Sequence, residues 1–508
     1  MEYPETGVVS YVANFFKNIV KAIKPWGRFQ RRDAASRTGS MSNWQPRTTQ
    51  GDTLKDMERD EIVNRSVNLV HDDPNAAGII DTFATTITGA GLRPLPALNP
   101  ESLGITPEQA RAIESEQKAI YKEWSPHADA GQRMTDGEIQ HLKTRNLFEY
   151  GESLEIIYMI DDPFKSFAMA SLVINPTRLK TPSNLTGDDT VKHGIKLGKY
   201  GEPIGYWIQK AGGFATDSSN FVYIPAKKGH RWQVLHDFIV KDPEQMRGDP
   251  ILSTGMRFFR DFSDLLGAEL TSNVVTAALA YFIKTDSDSA LTAENLLDQD
   301  QVVDDRYQSV APGEILYGNK GDEMDMLDAT RPGTTFDPFT KIIKKAIAQG
   351  TGVPFNIAFK ELDGVTFAGF RAAMLEAWRV FSYHRTRIGN RDLQKKYTML
   401  MEEAWSRGRL SVGSDFLEKM HLYTAAEWFG APKGDIEPFK AAQADILKVN
   451  NNIKTLERSQ IEDGGVGFTE ITDQRAEENQ ILETKGLPVP GAVIEPESDS
   501  QGDNTDDD

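Results

Sequence analysis

Residues 247–284, RGDPILSTGMRFFRDFSDLLGAELTSNVVTAALAYFIK, decide the architecture. Arg247-Gly248-Asp249-Pro250 reads as a turn, and one long apolar helix follows. Apolar side chains recur at Met256, Phe259, Phe262, Leu266, Leu270 and Val274. They alternate three and four residues apart, which lines them up as one stripe on a helix. From Leu252 to Ile283 such a helix is roughly 48 Å long at about 1.5 Å per residue. A globular enzyme seldom needs a strut of that length, whereas a ring or tube built from many copies does. The core helix of a large domain has the same periodicity, so periodicity alone leaves both readings open.

The most apolar part, Val274–Ile283, is about half of what a bilayer requires, and no other stretch reaches that length. The N-terminus lacks the apolar run and small-residue cleavage site of a signal peptide. The expectation is a soluble protein, assembled in the cytoplasm, with no membrane partner.

Working outward, 508 residues suffice for a sizeable core in several substructures. The absence of cysteine excludes disulfides, thiolate metal sites and a cysteine nucleophile. A net charge of −18 argues against a broad grip on nucleic acid, since affinity for phosphates comes from Lys and Arg. It is compatible with a polyanion that slides past, and with assembly contacts.

The two ends differ from the middle. Residues 1–49 are basic, with Lys17, Lys21, Lys24, Arg28, Arg31, Arg32, Arg37 and Arg47 against Glu2, Glu5 and Asp33. Val12 to Ile23 fits a short amphipathic basic helix, and a solvated arm is the other reading. Residues 488–508 are rich in Pro, Gly, Ser and Asp and contain no basic residue, the composition of a disordered acidic tail.

Between the ends, helical patterns are expected at 54–71, at 76–88 after the Asp72-Asp73-Pro74 break, at 107–124 behind Thr106, and at 137–150. Strand patterns follow at 153–160, 168–174, 194–197, 203–209, 220–224 and 232–238. Gly, Pro and Asp separate them, as in an antiparallel sheet, and 198–202 reads as a hairpin turn. Phe336 to Ala348 is an amphipathic helix stopped by Gly350 and Gly352. A loop with Lys360, Glu361, Asp363 and Gly364 leads to a long helix from about Phe370 to Trp405.

No catalytic constellation stands out. His141, His236 and His384 lie outside any His-Glu-x-x-His arrangement, and Gly89-x-Gly91 follows a helix and lacks a phosphate-binding Lys-Ser or Lys-Thr. Carboxylate pairs such as Asp161-Asp162 and Asp304-Asp305 read as solvated surface in a chain with 75 acidic residues. No enzyme activity, cofactor or metal is expected.

Five motifs in order carry a resemblance. Arg65 to Gly91, with Asn68, Asp73-Pro74-Asn75, Ala77-Gly78 and a closing Gly-x-Gly, is the first. Gly201-Glu202-Pro203-Ile204-Gly205-Tyr206-Trp207-Ile208, Val234-Leu235-His236 and Gln245 to Pro250 follow, and Asp435 to Ala442 closes the series. Together these resemble the lambda-type family of phage portal proteins over residues 50 to 487. At the loop, the family's Tyr-Ser-Ser-like element is replaced by Phe367-Ala368-Gly369-Phe370 before Arg371-Ala372-Ala373.

The resemblance implies an α+β portal-type subunit assembled into a ring, with an α/β wing, a long-helix stem, a small clip and a helical crown. Its divisions are an arm (1–49), wing (50–250), first stem helix (251–284), clip (285–335) and second stem helix (336–352). A tunnel loop (353–369), a wing and crown region (370–487) and the acidic tail complete it. Met256, Phe259, Phe262, Leu266 and Leu270 are the expected stem-packing residues. Lys360, Glu361, Asp363 and Gly364 are the expected tunnel-loop contacts to double-stranded DNA. The implied partners are copies of the chain in a dodecameric ring, the terminase large subunit, major capsid and scaffold proteins, and head-completion or tail adaptor proteins. The rival readings are a minor capsid or head–tail adaptor and, from another class, a phage-encoded hydrolase.

Overall fold

The computed structural model describes residues 56–212, 218–278, 282–285, 322–325, 336–434, 437–464 and 467–489. The basic arm, nearly all of the expected clip, Asp304-Asp305 and the acidic tail from residue 490 lie outside the described residues.

Helices α1 (Asp56–Asp72) and α2 (Pro74–Ile87) are separated by Asp73 alone. The Asp73 carboxylate accepts from the backbone N–H groups of Asn75 and Ala76 at 2.7 and 3.2 Å, and Pro74 opens the second helix. α2 buries Ala76, Ile79, Ile80, Phe83, Ala84 and Ile87, a 3–4 spacing that gives it one apolar face. Reciprocal side-chain caps start α3 (Pro107–Trp124), by Thr106 with Gln109, and α4 (Asp136–Glu149), by Thr135 with Glu138.

The strands are antiparallel, as the turn residues between them predict. β1 (Arg93–Pro96) stands apart from two groups. β2 (Glu152–Met159) lies between β3 (Met169–Ile174) and a strand from the end of the region. β4 (Val191–Lys192), β5 (Ile195–Leu197), β6 (Pro203–Gln209) and β7 (Phe221–Pro225) form a four-stranded sheet in that order. The turn at 198–202 closes with Gly198 N–H donating to the Glu202 carbonyl. The strand expected at 232–238 is in fact two. β8 (Lys227–Lys228) pairs with β9 (Arg231–Trp232), and β10 (Val234–Phe238) pairs with β2.

The long helix is shorter than periodicity predicts. A 3₁₀ turn at Ile251–Thr254 precedes α5 (Met256–Ala278), which is about 35 Å long. Phe282 and Ile283, expected as the end of the helix, lie in strand β11 (Phe282–Thr285), which pairs antiparallel with β12 (Asp322–Asp325). An apolar run of this length has no period that separates helix from strand, and pairing with a distant segment decides it.

α6 (Phe336–Thr351) returns beside α5. A short helical turn at Phe355–Ala358 leads to α7 (Phe367–Ile388), a π-helical turn at Gly389–Leu393, and α8 (Gln394–Ser406). These three run on as one rod about 60 Å long. β13 (Ala426–Phe429) pairs with β1. Helices α9 (Pro438–Asn450), α10 (Leu456–Gly464) and α11 (Phe468–Thr484) follow.

The rod joins two cores. One gathers Ile113, Ile120 and Trp124 of α3 with Tyr397 and Leu400 of α8 and with Phe416. The other gathers Phe83 and Phe148 with Phe259 of α5, Ile347 of α6 and Phe381 of α7. A third, smaller core fills the space between the sheets, around Leu154, Ile195 and Tyr206.

Candidate assembly face and loop

The apolar stripe of α5 divides in two. At its base Phe259 and Phe262 are 0 % and 3 % exposed, and Phe259 packs with Ile347 and Ala348 of α6. Met256 is half-buried. Further along, Leu266, Leu270 and Val274 are 41 %, 67 % and 61 % exposed. The sequence treats all these positions alike; the folded subunit covers only the first part. α6 (Phe339, Ile342) and α7 (Phe367, Leu375, Tyr383) also carry exposed apolar groups. Arg257 and Arg260 of α5 instead pair one turn on with Asp261 and Asp264, as suits a solvated flank.

The loop between α6 and α7 is tied at one side and free at its tip. Glu361 is held by two lysines of α6, Lys344 at 3.1 Å and Lys341 at 3.6 Å. The Lys344 ammonium also lies 6.0 and 5.9 Å from the ring centres of Phe262 and Phe359. Lys360, Asp363 and Gly364 are exposed. Lys360 and Gly364 both adopt left-handed backbone, at φ 54° and 71°. Of the four loop residues grouped by sequence, then, Glu361 faces the subunit while Lys360 and Asp363 face solvent. Thr366 closes the loop by capping α7, its hydroxyl accepting from Gly369 N–H at 3.2 Å.

A seam of buried charge, unforeseen in the sequence, joins the strands to the rod. The Lys143 ammonium on α4 contacts both Glu155 of β2 and Asp392 of the π-helical turn. Lys396, one turn along the rod, reaches Asp136 at 2.6 Å and Glu155 at 2.8 Å. Burial pushes the Glu155 carboxyl up, but Lys143 and Lys396 outweigh it and hold the group far below the usual carboxylate range. Burial lowers Lys143, and Asp392 and Glu155 overcome that to hold it above the usual lysine range.

A second cluster centres on Glu152, three residues earlier. Arg247 donates to it through Nε at 2.6 Å, Arg59 pairs with it at 2.9 Å, and His236 Nε2 lies at 3.0 Å. Arg247 also donates to the carbonyls of Pro176, Leu179 and His193. It thereby clamps the turn that opens the α5 segment onto the sheets. The same turn needs Gly248, because a Cβ there would lie 1.9 Å from the Gly151 carbonyl oxygen. Both carboxylates lie in β2, whose residues from Glu152 to Ile157 are buried, and a carboxylate there requires partners.

His384, on α7, is buried against Phe83, Phe148 and Tyr383, and His141 makes no metal-type grouping. Asp161 of the Asp161-Asp162 pair is exposed, as expected of a solvated pair. Among the described residues no group of three His, Asp or Glu is arranged to hold a metal ion. None of their helices is long and apolar enough to cross a membrane.

Residues 37–385 match the family described as phage portal protein, lambda family. The chain is 22 % identical over 482 residues to the portal protein of Escherichia phage N15, covering 89 % of this chain and 90 % of that protein. It is 22 % identical over 487 residues to portal protein B of Escherichia phage lambda, covering 89 % of each. Among solved structures it resembles a chain of the virion of a native gene transfer agent particle. There the TM-score is 0.42 at 13 % identity, with 84 % of this chain and 94 % of that one covered.

Proposed function

The chain belongs to the lambda family of phage portal proteins, and on that premise we propose that it forms the ring-shaped DNA channel at one vertex of a capsid. In this reading residues 50–250 and part of 370–487 make the wing, with the crown in the latter. α5 and α6 are the stem, residues 285–335 the clip, and 353–369 the tunnel loop. Double-stranded DNA passes through the ring, a terminase large subunit docks on it during packaging, and head-completion or tail proteins bind later. Capsid and scaffold proteins surround it, and the subunit has no catalytic role.

The division of the α5 stripe carries this reading. Leu266, Leu270 and Val274 continue the line of Phe259 and Phe262 yet lie open to solvent in the single subunit. A row of exposed apolar side chains on a helix is covered when an identical helix packs beside it, and a heterologous contact of that kind closes into a ring. Lys360 supports the channel role. It is an exposed cation at a loop tip, next to Asp363, in a subunit of net charge −18. Such a contact to phosphates is weak and transient, as a sliding polymer requires.

Light scattering and negative-stain imaging of the purified protein test the assignment. The expected result is an end-on ring with a central hole and a mass of several hundred kilodaltons, far above the 56.6 kDa subunit. Leu266→Asp leaves the subunit folded and abolishes rings. Wild-type rings from Leu266→Asp, or a monomer across micromolar concentrations, refute the reading.

A further inference from the structure

A recess of about 350 Å³ opens where β1 and α3 meet Ile461 of α10 and the start of α11. Its walls are mixed: Leu95, Phe429 and the buried Ile461 supply an apolar part, and Tyr121, Thr135 and Gln140 a polar one. Its rim is cationic: Arg93 comes from β1, and Lys118 and Lys122, four residues apart, come from one face of α3. None of these three makes an ion pair among the described residues. Glu470, at the start of α11, is the acidic residue at the edge. An apolar patch of Leu95, Phe429 and Ile461 beside three such cations suits a ligand with a short apolar part followed by an anionic one.

The chain carries such a sequence at its own end. Gly491-Ala492-Val493-Ile494 is an apolar run, and Glu495, Glu497 and Asp499 follow it with no basic residue to the terminus. α11 starts at the recess, where a Cβ on Gly467 would sit 3.5 Å from the Lys118 ammonium, and ends at Thr484. Gly486, at φ 68°, then turns the chain off the helix axis, with Leu487 N–H donating to Leu482 O and Gly486 N–H to Glu483 O. α11 is about 25 Å long at 1.5 Å per residue. The residues from Thr484 to Val493 span up to about 30 Å when extended, enough to return to the recess.

We propose that the recess between β1, α3, Ile461 and the start of α11 is a docking site for the segment 491–500, with Val493 and Ile494 against Leu95, Phe429 and Ile461 and the acidic residues after them on Arg93, Lys118 and Lys122. Binding fastens α10 and α11 to the β1–β13 pair. A DNA duplex is the other polyanion at hand, but a duplex presents phosphates with no apolar group to fill a recess.

A fluorescent peptide of residues 491–500 tests this by anisotropy, added to a chain lacking 490–508 and to the full chain. The shortened chain binds it saturably, and the full chain binds it at least about tenfold more weakly because the tethered segment competes at high effective concentration. Lys118→Glu with Lys122→Glu in the shortened chain weakens binding about tenfold or more, whereas Lys227→Glu with Lys228→Glu, a charge change elsewhere, does not. A peptide with Val493→Ser and Ile494→Ser also binds more weakly. Equal affinity of the full and shortened chains, indifference to Lys118 and Lys122, equal loss from the Lys227 and Lys228 changes, or displacement by a short DNA duplex overturns the proposal.

Discussion

Glu155, in the middle of β2, is fully buried, while Leu270, well along α5, is 67 % exposed. Each inverts the usual placement of its residue type, and for opposite reasons. Around Glu155 the subunit supplies both countercharges itself, Lys143 from α4 and Lys396 from α8, so the inversion is resolved within one chain. Around Leu270 it supplies none among the described residues, and the resolution falls to a neighbouring copy in the ring we propose. Unusual burial of charge thus marks where the subunit is complete, and unusual exposure of apolar groups marks where it is not.

The comparison is tested hardest at its buried pole. Glu155→Ala leaves two buried ammonium groups short of a partner and is expected to cost the subunit about 3–5 kcal/mol, read as a drop in the denaturant midpoint. A loss below about 1 kcal/mol means water reaches the seam and the wing is not closed.

Within the stripe, Phe259→Ala is expected to cost about 3–5 kcal/mol in the same assay. Leu266→Ala changes subunit stability by less than about 0.5 kcal/mol but reduces the yield of rings in light scattering. Equal effects of the two on subunit stability remove the division between base and tip.

A smaller effect lies at His384. Burial, with Arg387 adding to it, lowers its imidazole to about 4 from an ordinary 6.5. Between those values the unfolded chain holds a proton that the folded one refuses, so stability falls as pH drops from about 6.5 to about 4. The slope from this group approaches about 1.4 kcal/mol per pH unit. His384→Phe keeps the aromatic packing and flattens that part of the profile in denaturation measured across pH; an unchanged slope assigns it to other groups.

Smallest is Lys360→Gly. Because Lys360 sits at φ 54°, glycine is expected to keep or raise stability by up to about 1 kcal/mol. Ring yield stays the same and DNA packaging or retention falls. Unaltered packaging excludes Lys360 from the channel.

The helices with strong local punctuation were legible to within a residue or two. Asp73-Pro74 splits α1 from α2, and Thr106 and Thr135 start α3 and α4, because caps act through neighbouring residues. The long rod was also visible, though its π-helical turn was not. The pairing of β1 with β13 depends on residues more than 300 positions apart, and β11 with β12 on a partner beyond the window that any period spans. At the candidate site the apolar repeat from Met256 to Val274 falls on α5, and Lys360 to Gly364 fall between α6 and α7. The sequence did not show which stripe residues the subunit covers, nor that Glu361 turns inward to Lys341 and Lys344. The charge seam was hidden by composition: with 75 acidic residues, Glu152 and Glu155 look like surface until β2 is seen to be covered on both faces.

The π-helical turn at Gly389–Leu393 has a consequence for register. A residue added to one helical turn advances everything beyond it by about 100° around the axis, since 3.6 residues complete a circle. α7 can therefore aim Phe381 into one core while α8 aims Tyr397 into another, although the two are one rod. Gly389 lies against Trp428 so closely that a Cβ would come within 2.7 Å of it, which fixes where the phase change occurs. Deleting a single residue from this turn yields a more regular helix and a worse protein. The loop end of the rod and its wing end would then be out of phase, each able to find its own packing only at the expense of the other's.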